Sequence, residues 1–216
     1  MESLVNAVTK QIAVVLADDH PVIRQGLARI LKSQKDIQIV AEASDGEETC
    51  KLYDRLSPDV IILDLRMPKK DGLQVVLELM SRPVCKARII VMTSYDSEQE
   101  IRQALSAGAK AFLVKGSHPQ LIREAVRRVA QGESFLPPEI ALKLAESMSH
   151  PELSKRETQV LQHLALGRSN KQIGRALYIS EGTVKQHVKS ILGKLDATGR
   201  AEAIAIAARR GLIHAG

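Results

Sequence analysis

The 216-residue chain has no Trp, only two Cys, and aromatic side chains at 2%. The shortage of aromatics does not signal disorder. Apolar runs are spread along the whole length, and aliphatic and charged residues stand at ordinary globular levels. Two isolated cysteines, Cys50 and Cys85, are too few for a disulfide framework or a thiolate metal site and read as buried thiols. No window approaches the ~20 apolar residues that a membrane-spanning helix needs. The opening MESLVNAVTKQ has neither the basic start nor the long apolar stretch of a secretory signal. A cytoplasmic protein with no membrane partner is expected. Net charge is also missing from the first part of the chain, since residues 1–150 hold 20 Lys and Arg and 20 Asp and Glu. The formal charge of +6 lies in residues 151–216, with 11 basic against 5 acidic residues. That excess points this part toward an anionic partner, nucleic acid before membrane.

What is present is organised around the stretch from Asp59 to Asp64. Four aliphatic residues, Val60 to Leu63, end in a carboxylate, as suits a strand buried on both faces of a parallel sheet. Similar apolar runs occur at 12–17, 37–42, 88–92 and 110–114, each followed by a helical pattern. The first helix is expected from Pro21 to Lys32 with Val22, Ile23, Leu27, Ile30 and Leu31 on its apolar face. Ser44 and Glu47 have the spacing of a capping box for the second. Asp71-Gly72 marks a turn, the third is expected from about Leu73 to Ser81, the fourth is capped by Asp96, and the fifth runs from Pro119 to Gly132. Five strands in strict alternation with five helices imply a parallel sheet covered on both faces. The pattern then changes. Residues 133–153 read as a linker with one short helix at 138–148, bounded by Pro137-Pro138 and Pro151. From Ser154 nothing resembles a strand: helices are expected at 154–166, opened by the capping-box spacing of Ser154 and Glu157, and at 170–177, 181–195 and 200–210. The domains are therefore 1–132, α/β, and 154–216, all-α, with the linker at 133–153.

In a parallel sheet the strand ends share one edge, where open α/β folds bind their ligands. That edge collects Asp18 and Asp19 after strand one, Asp64 after strand three, Thr93 after strand four and Lys115 after strand five. Three carboxylates without thiols or an imidazole cluster favour a hard cation, and Mg²⁺ fits because it leaves positions open for phosphate oxygens. A strand-end Asp can attack a phosphoryl group to give an aspartyl phosphate. Lys115 and Thr93 can hold the phosphoryl oxygens. A haloacid-dehalogenase phosphatase would need an Asp at position 66, which is Arg. A dinucleotide domain would need a glycine-rich turn where Asp18-Asp19-His20-Pro21 stands.

In the basic part, the helix at 170–177, the turn at Ile179-Ser180 and the helix from Glu181 make a helix-turn-helix candidate. Val184 and Val188 lie four apart toward a core. Lys185 and Lys189 share the opposite face, with Gln186 beside them. Lys can bond guanine edges or phosphates, and Gln can pair with adenine. A solvated lysine face has the same pattern.

VLADDHP, LDLRMPKKDG, VMTS and GAKAFLVKG resemble the receiver domain of two-component response regulators over about residues 12–132. LSKRETQVL, GRSNKQIGRAL, ISEGTVKQHVKSILGKL and RAEAIAIA are similar to LuxR-type DNA-binding domains, so the whole resembles the NarL/FixJ family. The resemblance implies a flavodoxin-like (βα)5 receiver followed by a four-helix helix-turn-helix domain. It implies Asp64 as phosphoacceptor from a sensor histidine kinase. Asp18, Asp19, Asp64 and the Arg66 backbone carbonyl would be Mg²⁺ ligands, and Thr93 and Lys115 would hold the phosphoryl group. Thr93 and Phe112 would be the switch pair. Lys185, Gln186 and Lys189 would be base-edge candidates on double-stranded operator DNA. Lys171, Ser180, Thr183 and His187 would be backbone contacts or supports. Phosphorylation would expose the helix-turn-helix domain, or pair it in a homodimer with Leu195 and Ile204 near the dimer surface or in the core. No second catalytic constellation suggests an enzyme. The alternative is a receiver-controlled module whose basic helices hold a protein rather than DNA.

Overall fold

The computed structural model describes residues 11–84, 86, 88–94, 97–148 and 151–213. These divide into two compact units, the first extending to Ile140 apart from Ser97–Glu100, and the second comprising those four residues and the chain from Ala141. The first unit holds strands β1 (Ile12–Ala17), β2 (Ile37–Ala43), β3 (Val60–Leu63), β4 (Arg88–Thr93) and β5 (Ala111–Val114). Between and after them come helices α1 (Pro21–Lys32), α2 (Gly46–Leu56), α3 (Gly72–Met80), α4 (Glu98–Ser106) and α5 (Pro119–Ala130). The strands form one parallel sheet in the order β2-β1-β3-β4-β5. Chain order reverses beside β1, so β1 and β3 flank the switch point where such sheets place ligands. All four residues of β3 are buried, which is why its sequence is a continuous aliphatic run rather than an alternating one. One face of the sheet packs on Leu27 and Leu31 of α1 and on Ile122, Val126 and Val129 of α5. Asp59 ties the other end of β3 to β1: its Oδ2 accepts the Ala13 amide at 2.9 Å.

Several local expectations shift. Val22 is 79% exposed, not on the buried face. Ile23, Leu27, Ile30 and Leu31 already complete an i, i+4, i+7, i+8 stripe without it. The cap of α2 sits one residue later than the Ser44–Glu47 spacing suggests. Asp45 accepts the Glu48 amide at 2.8 Å, while the Glu48 carboxylate takes the amide and hydroxyl of Ser44. Two adjacent glutamates make either register possible on paper, since Ser and Asp cap about equally well, and the helix takes Asp45. The cap assigned to Asp96 lies outside the described residues, as does Cys85; Cys50 is buried. Phe135, read as part of a break, forms a parallel bridge to Ala111 and so extends the sheet beyond β5. Its ring is buried under the Arg128 guanidinium, 5.2 Å from the centroid.

Helix α6 (Pro138–Met148) precedes the second unit's α7 (Lys155–Ala165), α8 (Asn170–Leu177), α9 (Glu181–Leu195) and α10 (Arg200–Arg209). Val160, Leu161, Leu164, Ile173, Val184, Ile191, Leu195, Ala203 and Ala207 form its core, with Val188 and Ile204 packed at the margin. Leu195 is 2% exposed and thus belongs to this core rather than to an open surface. Among the described residues no helix is long and apolar enough to cross a membrane.

Candidate functional site

The carboxyl edge of β1 and β3 gathers the strand-end carboxylates as their register requires, because Ala17 pairs with Leu63 and the next residues are Asp18 and Asp64. Both residues are 3% exposed. Lys115, just past β5, places its Nζ 2.7 Å from Asp64 Oδ2 and 2.8 Å from Asp18 Oδ2. Burial works against the ammonium, but the two carboxylates outweigh it and raise the Lys115 pKa. Asp64 itself is pushed above the usual carboxylate range. Burial is the main cause; the Lys115 bond opposes it, the Asp18 charge adds to it, and the Arg66 amide opposes it. One cation shared by two buried carboxylates leaves the pair short of positive charge. Asp19 is half-buried, and its Oδ1 has no hydrogen-bond partner among the described residues. Donor atoms of Asp18, Asp19, His20 and Asp64 all lie within 4.8 Å of one another, a set that could hold a divalent cation.

Thr93 ends β4 fully buried, and its carbonyl accepts the Lys115 amide at 2.7 Å, which fixes Lys115 relative to that strand. Phe112 lies in β5 opposite Val91 and is also fully buried. The Arg66 side chain is exposed. Three supports escaped sequence reasoning. Arg24 reaches back from α1 to donate to the Asp18 carbonyl at 2.6 Å. Lys69 adopts φ 65° in the loop after Asp64 and pairs with the Asp45 carboxylate at 2.5 Å. Gly72 lets α3 start against that loop: a Cβ there would come within 2.2 Å of the Asp64 carbonyl. The turn residue Gly72 was visible in the sequence, but the backbone approach that demands it was not.

In the second unit, α8, a tight turn and α9 form a helix-turn-helix. The Ile179 amide donates to the Gly174 carbonyl at 2.9 Å, and a Cβ at Gly174 would come within 2.7 Å of the Ile179 carbonyl, so only glycine fits. Ser180 caps α9 by accepting the Thr183 amide at 3.0 Å, and the two hydroxyls are 2.8 Å apart. Val184 faces the core, while Lys185, Gln186 and Lys189 are exposed on the other side. Lys185 pairs with Glu181 one turn earlier at 3.2 Å. Lys171 is exposed at the start of α8, and His187 is half-buried. The buried Glu157 also went unnoticed in the sequence, where it reads only as the end of a capping box. Its Oε2 takes the Ser154 amide at 2.6 Å and Lys194 Nζ at 2.8 Å, and its Oε1 takes the Ser190 hydroxyl at 2.6 Å. It thereby ties the first turn of α7 to the later half of α9.

A doubly wound receiver-like α/β unit with an acidic pocket, followed by a helix-turn-helix unit, defines a phosphorelay-type regulator. Residues 14–127 match the response regulator receiver domain, and residues 151–207 match the bacterial regulatory proteins of the luxR family. The transcriptional regulatory protein LiaR of Bacillus subtilis is 38% identical over 211 residues, covering 94% of this chain and 100% of that protein. The solved structure of the response regulator ChrA of a heme-sensing two-component system is similar at 38% identity and TM-score 0.57, over 94% of this chain and 99% of that one. RcsB of Salmonella typhimurium, at 24% identity, shares the fold with TM-score 0.73 over 90% and 98% of the two chains. The chain belongs to the two-component response regulators that join a receiver to a LuxR-type DNA-binding domain. That membership does not favour the protein-interaction alternative.

Proposed function

We propose that this regulator accepts a phosphoryl group on Asp64 from a sensor histidine kinase and binds operator DNA in response. The observation that carries the reading is the meeting of Asp64, Asp18 and Lys115 at one sheet edge, with the Asp19 carboxylate beside them. An Asp64 carboxylate oxygen attacks phosphorus, the P–N bond of the donor phosphohistidine breaks, and an acyl phosphate forms with the imidazole as leaving group. Lys115 then exchanges a carboxylate oxygen for a phosphoryl oxygen, and the Thr93 hydroxyl donates to another. The donor set is all-oxygen apart from His20 and fits Mg²⁺, held by Asp18, Asp19, Asp64 and the Arg66 carbonyl. When bound, Mg²⁺ supplies charge neutralisation at the phosphoryl oxygens. Movement of Thr93 toward the phosphoryl group frees space into which Phe112 rotates, which reports the modification at the surface. The chain acts as a cytoplasmic regulator rather than an enzyme, and slow loss of its phosphoryl group serves as a timer.

Phosphorylation then promotes operator binding by exposing residues 154–216 or by pairing two chains. Lys185, Gln186 and Lys189 meet base edges in the major groove, and Lys171, Ser180, Thr183 and His187 contact or support contacts to the DNA backbone. The domain limits 1–132, 133–153 and 154–216 carry over as the working division. The test is Asp64→Asn treated with acetyl phosphate and Mg²⁺. Intact mass should show the phosphoryl adduct on the wild-type protein and none on the variant. Equal labelling of both would overturn the assignment.

A further inference from the structure

His20 is the one member of the cluster that the proposed phosphoryl chemistry leaves unused. Resting on the reading of that cluster as a cation site, we infer that His20 is a further ligand there. It would turn the site's preference from Mg²⁺ toward later first-row transition-metal ions such as Co²⁺. The His20 Nδ1 atom lies 2.6 Å from Asp19 Oδ1 and 3.3 Å from Asp18 Oδ1. Two neighbouring ligands on one ion with bonds of about 2.1 Å stand about 3 Å apart, so this spacing is that of adjacent ligands. The 2.6 Å contact with Asp19 is a close ion pair when the ring carries its proton, and the imidazole nitrogen and carboxylate oxygen face one space that a cation would fill in place of that proton.

The surrounding structure holds the ring there. The His20 amide donates to Asp18 Oδ1 at 2.8 Å, and Pro21 begins α1 directly after it. The His20 side chain is 65% exposed, so it closes the cluster from the solvent side. Lys115 occupies the Oδ2 atoms of Asp18 and Asp64, away from the Oδ1 atom of Asp18 that the imidazole approaches. Carboxylates alone favour hard ions. An imidazole nitrogen adds affinity for ions further along the series from Mn²⁺ to Cu²⁺ and little for Mg²⁺.

The test uses the full chain, His20→Gln and His20→Ala, each titrated with Mg²⁺ and with Co²⁺ by calorimetry. Co²⁺ binding is also followed by its visible absorption. Only Co²⁺ that excess Mg²⁺ displaces is counted, which removes sites built from the other histidines. Mg²⁺ affinity should stay within about twofold in both variants, while Co²⁺ affinity falls about tenfold or more and the absorption changes shape. Unchanged Co²⁺ affinity overturns the inference. An equal loss for both ions also overturns it, since His20 would then only organise the carboxylates. If the wild-type protein binds neither ion, the reading of the cluster as a cation site fails, and this inference with it.

Discussion

Asp64 and Glu157 are both shut off from solvent, one in each unit, but Asp64 lies deeper among protein atoms, and their carboxyl groups are displaced in opposite directions. Burial raises both. At Glu157 it is outweighed by Lys194, Ser190 and the amide and hydroxyl of Ser154, which together hold the pKa at about 2. At Asp64 burial prevails, because its lysine is shared with Asp18 and that neighbour is itself negative. The contrast separates a carboxylate that holds a fold together from the one proposed to take the phosphoryl group. Glu157 joins two helices with its oxygens satisfied. Asp64 sits where a cation and a phosphoryl group would relieve the crowding, and the fold bears that cost until they arrive.

The largest effect should come from removing each group. Glu157→Ala should destabilise the second unit by about 1–2 kcal/mol, because it removes the capping bond to Ser154 and the bonds to Ser190 and Lys194, although Lys194 keeps the Glu152 carbonyl. Asp64→Asn should leave the first unit as stable or more stable, since it removes a crowded charge. Hydrogen exchange followed by mass spectrometry reads the units separately: α9 peptides should lose protection in the first variant and β3 peptides should not in the second. Loss of protection in β3 of Asp64→Asn would break the comparison.

Acid should separate the two groups next. The folded-state pKa of Glu157 is depressed, so its contribution is complete above its ordinary pKa of 4.5 and is lost as pH falls through about 2. After allowance for solvent screening that contribution is on the order of 2 kcal/mol. Asp64 has the reverse sign. Its raised pKa means that the folded state favours the protonated form, so stability falls as pH rises from its ordinary value of 3.8 toward the folded one. The stability of Asp64→Asn relative to wild type should therefore grow between acid and neutral pH, while that of Glu157→Gln should fall. Urea titrations across the pH range, followed by circular dichroism, measure both slopes.

Lys115→Ala should reduce labelling by acetyl phosphate without abolishing it, and should uncouple the remaining label from DNA binding. On the proposed reading it removes a sensor of the phosphoryl group and not the attacking oxygen. Labelling measured by mass and DNA affinity measured at one salt concentration give the two readouts. The smallest effect on the fold belongs to Lys185→Ala. Its exposed ion pair with Glu181 contributes only a few tenths of a kcal/mol to stability. On operator DNA the same change should cost about 1–3 kcal/mol and relax preference at one base pair. An equal loss on every duplex would make Lys185 a phosphate contact.

The sequence by itself determined what depends on local chemistry and on period. The aliphatic run Val60–Leu63 required a strand buried on both faces, and alternation with helices required parallel neighbours. Those two facts alone put Asp18, Asp64, Thr93 and Lys115 at one edge. Ser154 and Glu157 at cap spacing marked the start of α7, and the turn at Ile179-Ser180 marked α9. The tertiary structure decided what depends on distances between residues far apart in the chain. It brought Lys115 between Asp18 and Asp64, set Glu157 against Lys194, and moved Leu195 from a possible surface into a core. It also turned Gly72 from a turn residue into a point of backbone contact and placed the His20 ring beside the carboxylates. Periodicity tells which side of a helix or strand is apolar, but a pKa direction or a ligand set is a sum over neighbours supplied by other elements, and that sum exists only once the chain has closed on itself.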